Sequence, residues 1–195
     1  MRKCLALLLT SLTLFAACRA KEAKPDITGL VAALQSGDAE KSGRANLELI
    51  RLGEPAVPGL TEMLKDPDPR VRGLAASTFW GMGGKARAAV PALAEALSDP
   101  DPSFRTQIAM ALENMGPDAK DAVPALIRAL SDPDRGVRQA SVKALGRIGP
   151  AARAAVPALS RALKKGSWPE AQEAILLING GELDTTSGDP IVPKP

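Results

Sequence analysis

The pair Val-Pro recurs as Val57-Pro58, Val90-Pro91, Val123-Pro124 and Val156-Pro157, each copy 33 residues after the last. Whole segments superpose around it: residues 121–153, DAVPALIRALSDPDRGVRQASVKALGRIGPAAR, align with 88–120 and again with 55–87. A fixed period of this length marks a repeat architecture, because one such unit cannot bury its apolar face alone and must stack on its neighbours.

Each unit reads as two helices joined by a tight turn. In 121–153, Asp121 is placed to cap the first helix and Pro124 falls in its first turn, where a missing N–H costs nothing. Val123, Leu126, Ala129 and Leu130 follow at helical spacing. Ser131-Asp132-Pro133-Asp134 breaks the helix, and Asp134 is placed to cap the next one. Val137, Ala140, Ser141, Ala144, Leu145 and Ile148 give that second helix a buried face, and Gly149 is expected to supply a left-handed exit. Asp68-Pro69 and Asp101-Pro102 repeat the cap, and Gly83 and Gly116 repeat the exit. Flanking units at 26–54 and 154–181 are less regular, as terminal repeats with one wet flank should be. The first sits 30 residues before the next and lacks the Val-Arg pair, carrying Lys41 and Ser42 in those slots. In the last, Ser167 and Glu170 have the spacing of a capping box. The expectation is an all-α solenoid of five antiparallel helix hairpins.

Asp66-Pro67-Asp68-Pro69, the Val71-Arg72 and Val137-Arg138 pairs, and Ala144-Leu145-Gly146-Arg147-Ile148-Gly149 resemble HEAT repeats, above all the short kind also found in phycobilisome lyase-like proteins. The resemblance implies an armadillo-like scaffold and a structural ladder between stacked repeats, in which Asp68, Asp101 and Asp134 meet Arg72, Arg105 and Arg138. Phe104 stands where the valine of that pattern would be. Related repeats occur in bilin lyase subunits and in a di-iron hydroxylase. The latter's His-Glu metal pairs have no counterpart here, because the chain has no histidine.

That absence also removes Ser-His-Asp, Cys-His and histidine-based metal chemistry. Both cysteines, Cys4 and Cys18, precede the repeats. Gly-Met-Gly-Gly at 81–84 follows no strand and reads as a helix end, not a phosphate loop. No catalytic residue, metal or cofactor is expected.

The chain opens with Met1, Arg2 and Lys3, and residues 5–17 are uncharged and predominantly apolar. That run is too short to span a bilayer, which takes about 20 helical residues. It reads as a secretory signal peptide over 1–18. Its end, Phe15-Ala16-Ala17-Cys18, resembles a bacterial lipobox, which implies export, diacylation of Cys18 and anchoring to a bacterial membrane on the periplasmic or cell-surface side. Ordinary cleavage near Ala17 or Ala20, with Cys18 incidental, is the alternative. Residues 19–25 form a short charged tether, and 182–195, rich in Pro, Gly, Ser and Thr, a disordered tail. The formal charge is +3, and loss of the leader's two cations leaves the chain near neutral, without the basic footprint of a nucleic-acid binder.

Function is therefore sought on a surface. Solenoids bind partners on the extended face lined by one helix of each pair. Aligned second helices place Leu47, Ser77, Met110 and Lys143 in one column, and Ile50, Trp80, Glu113 and Gly146 in the next. Leu47, Ile50, Trp80 and Met110 concentrate apolar area in the first three repeats, with Glu113 and Lys143 beyond; the competing reading is that these apolar residues are core. Arg87, Lys120 and Arg153 place one cation per repeat in the loops, either as a basic ridge or as solvated complements of helix C-termini. The expected function is a monomeric, non-enzymatic protein-binding scaffold or adaptor. The alternative is a non-catalytic or lyase-type subunit of an enzyme complex.

Overall fold

A computed structural model describes residues 25–165, 168–183 and 190–191. Its helices come in pairs: α1 (Ile27–Gln35) with α2 (Ala39–Leu52), α3 (Val57–Met63) with α4 (Pro69–Met82), α5 (Val90–Ala96) with α6 (Pro102–Met115), α7 (Val123–Ala129) with α8 (Arg135–Ile148), and α9 (Val156–Lys165) with α10 (Pro169–Ile178). Even-numbered helices stack directly on one another, α4 on α6, α6 on α8 and α8 on α10, and form a continuous layer. None of the described helices is long and apolar enough to cross a membrane.

The sequence chemistry explains most boundaries. Asp68, Asp101 and Asp134 take extended backbone at the N-caps of α4, α6 and α8, and their carboxylates accept from the N–H groups of Arg70 (2.8 Å), Ser103 (2.9 Å) and Val137 (3.1 Å). The glycine exits depart from expectation. Gly53, Gly83, Gly116 and Gly149 have φ between 53° and 71° but ψ between −129° and −141°, so none is in the left-handed helical well. This is backbone that essentially only glycine adopts without strain. It turns the chain straight into 3-10 segments at Glu54–Ala56, Gly83–Ala89, Gly116–Ala122 and Gly149–Ala155, which run into α3, α5, α7 and α9. Asp121 lies inside one of these segments and caps nothing; α7 begins after Ala122 without a side-chain cap, with Pro124 in its first turn. The connection after Gly53 is one 3-10 turn shorter, which accounts for the 30-residue spacing. Trp168, not Ser167, is the N-cap residue of α10, and Ser167 lies outside the described residues.

One apolar core runs through the repeats, built on Leu60, Phe79, Leu93, Ile108, Leu112, Leu126, Leu145, Leu159 and Ile178, all fully buried. Burying each such side chain stabilises by about 1.5–3 kcal/mol, and because the core is shared between neighbours no unit holds its share alone. Gly146 shows how close the layers come. A Cβ built there would lie 3.1 Å from the Ala174 Cα, so α8 and α10 meet backbone to backbone. Of the tail expected to be disordered, the described residues form a two-residue antiparallel ladder, Glu182 opposite Ile191 and Leu183 opposite Pro190; the rest lies outside them.

Candidate functional site

Two surfaces carry the residues singled out above. The first is the outer face of the second-helix layer. Leu47 on α2, Trp80 on α4 and Met110 on α6 are 69%, 51% and 45% exposed, so their side chains are surface and not core. Ile50 is half-buried, pressed over Gly81 of the next helix. Trp80 and Met110 wall an apolar cleft of about 300 Å³ with Ala76, Ser77 and Gln107. Asn114 joins the two helices beside it, donating from Nδ2 to the Trp80 carbonyl at 2.6 Å. Further along, Glu113 and Lys143 line a cleft of about 370 Å³ with Arg147, Glu170, Glu173 and Leu177. The layer thus changes from apolar to charged along its length. Gly146, the last member of its column, is buried by α10 and belongs to the interface between helices.

The second surface is the edge formed by the Asp-Pro turns. Here the expected ladder needs correction. Asp68, Asp101 and Asp134 do not pair with the arginines of neighbouring repeats, because their carboxylates are committed to helix N–H groups. The aspartate two residues earlier in the turn takes that role. Arg105 donates from Nε and Nη2 to Asp132 at 2.8 and 2.7 Å, a two-point contact between repeats. Arg72 Nε lies 3.4 Å from Asp99 Oδ2 without a hydrogen bond. Each arginine also reaches back to its own turn. Nη1 of Arg72, Arg105 and Arg138 donates to the carbonyls of Asp66 and Pro67, Asp99 and Pro100, and Asp132 and Pro133. These carbonyls lie in the turns beyond the helix ends, where neither helix supplies an N–H for them. In the first repeat Ser42 substitutes, its hydroxyl donating to the Leu34 carbonyl at 2.9 Å.

The electrostatics follow from burial and pairing. Burial opposes the Asp132 charge, but hydrogen bonds from Arg105 and the Asp134 N–H, with the nearby Arg138 charge, more than offset it and hold the carboxyl below its usual range. Arg105 is pushed further up by the same contact, against its own desolvation. Aromatic rings floor two arginines: the Arg72 Cζ is 5.3 Å from the Phe104 centroid and the Arg138 Cζ 5.4 Å from that of Trp168. Of the loop cations, Arg87 stands 4.0 Å from Asp118 with both side chains exposed. Among the described residues no three Asp, Glu, Cys or His side chains converge as a metal site would require. Cys18 lies outside the described residues.

Sequence reading missed Asp99 and Asp132 as ladder partners: in Asp-Pro-Asp either acid could have faced either way. It also missed the Trp168 contact with Arg138.

Comparison with known proteins agrees with this architecture. A model of HEAT repeats matches residues 57–122 and 90–178, together more than half of the chain. Among curated proteins none matches. Among solved structures, the complex of CpcE and CpcF of phycocyanin lyase from Nostoc sp. PCC7120 is similar at 22% identity and a TM-score of 0.62, with 78% of this chain and 97% of that one covered. A designed armadillo repeat protein in complex with the peptide (KR)4 is similar at 17% identity and a TM-score of 0.58, covering 77% and 79%. An engineered protein shares 23% identity at a TM-score of 0.58, with 80% of each chain covered. At these identities the likeness is one of fold. The family match, the periodic turns and the stacked hairpins agree, and the chain belongs to the HEAT-repeat family.

Proposed function

We propose that this chain is a non-enzymatic adaptor that docks another protein on its second-helix layer, and that it is exported and held on a bacterial membrane through lipid on Cys18. The observation that carries the docking reading is the exposed Leu47, Trp80 and Met110 on three successive second helices. A half-exposed tryptophan beside a flexible methionine, over an apolar cleft, has the composition of a binding hot spot. Two similar folds are protein–protein or protein–peptide complexes, which supports a polypeptide partner. Capture of a stoichiometric partner by the wild-type chain, lost with Trp80→Ala or Met110→Lys, is the expected outcome; undiminished capture by both variants refutes the docking face.

The export and anchoring reading rests on the leader pattern ending at Cys18. Mass spectrometry of the mature N-terminus is expected to find a diacylated Cys18, and an unmodified terminus at another residue overturns it. A second reading, a lyase-type subunit, draws on the likeness of fold to the CpcE–CpcF complex. A bound chromophore in the absorption spectrum of the purified protein would favour it over the adaptor.

A further inference from the structure

We propose that the cleft between α7 and α9 is a carboxylate-docking site, in which Arg138 above Trp168 receives an aspartate from an Asp-Pro turn of a partner protein. The precedent lies within the chain. Arg72 and Arg105 each hold their own turn through Nη1 and offer the opposite edge of the guanidinium to an aspartate of the next repeat, Asp99 and Asp132. In both cases that aspartate precedes a proline. Arg138 takes the same posture: its Nη1 donates to the Asp132 and Pro133 carbonyls, both at 2.7 Å, and its Cζ sits over an aromatic ring. Arg72 shows that an aromatic floor does not replace the acid, because it has both Phe104 and Asp99. Yet the position 33 residues after Asp132 is Lys165, and Arg138 has no carboxylate partner among the described residues.

The surrounding cleft is built to match. Between α3 and α5 a cleft of about 420 Å³ is lined by Leu64, Ala92, Ala96 and Phe104, with Glu95 and Asp99 as its acids and Lys65 as its one cation. Its counterpart between α7 and α9, about 440 Å³, keeps the apolar wall as Leu130, Ala158 and Ala162. Two repeats on, Glu95 has become Arg161. Asp132 also lines this cleft, but Arg105 engages its carboxylate. The first cleft is net acidic and the second net basic, and a guanidinium edge with a partly apolar surround favours an acid carried beside a proline over a free anion.

The test uses the full chain isotopically labelled for NMR, following the Arg138 Nε–H and Trp168 indole N–H during titration with an acetylated Ser-Asp-Pro-Asp peptide, the same peptide with both acids as Asn, and sodium acetate. The acidic peptide is expected to shift both signals saturably, and Arg138→Gln to weaken it about tenfold or more. Arg161→Glu, which reverses the cleft's other cation, is expected to weaken peptide binding further. Equal binding of the Asn peptide, or undiminished peptide binding by both variants, overturns the site. Saturation by acetate at the same concentrations overturns the protein turn in favour of a small anion. Shifts that grow with protein concentration alone overturn it in favour of a second copy.

Discussion

The turn edge and the second-helix face belong to the same solenoid but follow opposite rules. Along the edge the chemistry repeats: Arg72, Arg105 and Arg138 hold the same carbonyls of successive turns. Across the face it does not: the column from Leu47 runs through Ser77 and Met110 to Lys143, all exposed. What recurs in every unit serves the stacking that every unit needs, and what changes from unit to unit is available for recognition. Substitutions on the paired part of the edge, at Arg72 and Arg105, should therefore cost stability, and substitutions on the face should cost binding.

The largest loss of stability is expected from Arg105→Ala. Both side chains of its pair are only 10% exposed, and removing the cation strands the Asp132 charge, a change that costs about 3–5 kcal/mol. Arg72→Ala should cost less, about 1.5–3 kcal/mol, because Arg72 Nε makes no hydrogen bond and the main loss is its donation to two carbonyls. Urea denaturation followed by helical circular dichroism compares them, and double-mutant cycles with Asp132→Asn and Asp99→Asn should return the larger coupling for the Arg105 pair. Equal couplings would mean that the two-point geometry adds nothing.

Gly146→Ala comes next. Alanine is the better helix former, but here its Cβ meets the Ala174 Cα at 3.1 Å, and backbone yields less readily than a side-chain tip. A net cost of about 1–3 kcal/mol is expected from the overpacked joint between α8 and α10. An unchanged or raised melting temperature would show that the two helices can separate freely.

Acid should act on the edge before the face. The Asp132 carboxyl is held low in the folded chain, so its contribution is complete above the unfolded value of about 3.9 and is lost as pH falls through the lowered folded value. Asp132→Asn removes that group, and its stability should fall less steeply than the wild type's below about pH 4. Parallel curves would assign the acid sensitivity elsewhere.

Much of this was legible in the residues. The 33-residue period announced stacked hairpins, and the Asp-Pro pairs located the starts of α4 and α6. The partner of each arginine was hidden by geometry. In Asp132-Pro133-Asp134 two acids lie two residues apart, and only the backbone decides which one turns to the helix and which to the neighbouring repeat. The 3-10 segments were hidden for a related reason: Gly83 and Gly149 look like ordinary helix stops until ψ is known. On the face, Leu47 and Ile50 share helical spacing, and periodicity cannot separate an exposed member from a half-buried one without the next helix in place.

The smallest stability effect, and the sharpest division between edge and face, is expected from Trp80→Ala. Half of the ring is exposed, and the bond that its residue makes to Asn114 runs through the backbone carbonyl, which alanine keeps. Stability should stay within about 0.5 kcal/mol of the wild type. If the ring serves only to cover its neighbours, the melting temperature falls and binding is lost only in step with folding. If it serves recognition, partner capture fails in a chain whose urea midpoint has not moved, while Arg72→Ala, measured beside it, loses stability and keeps capture under folding conditions. That crossed pair of outcomes separates the two surfaces, because no single loss of structure produces both.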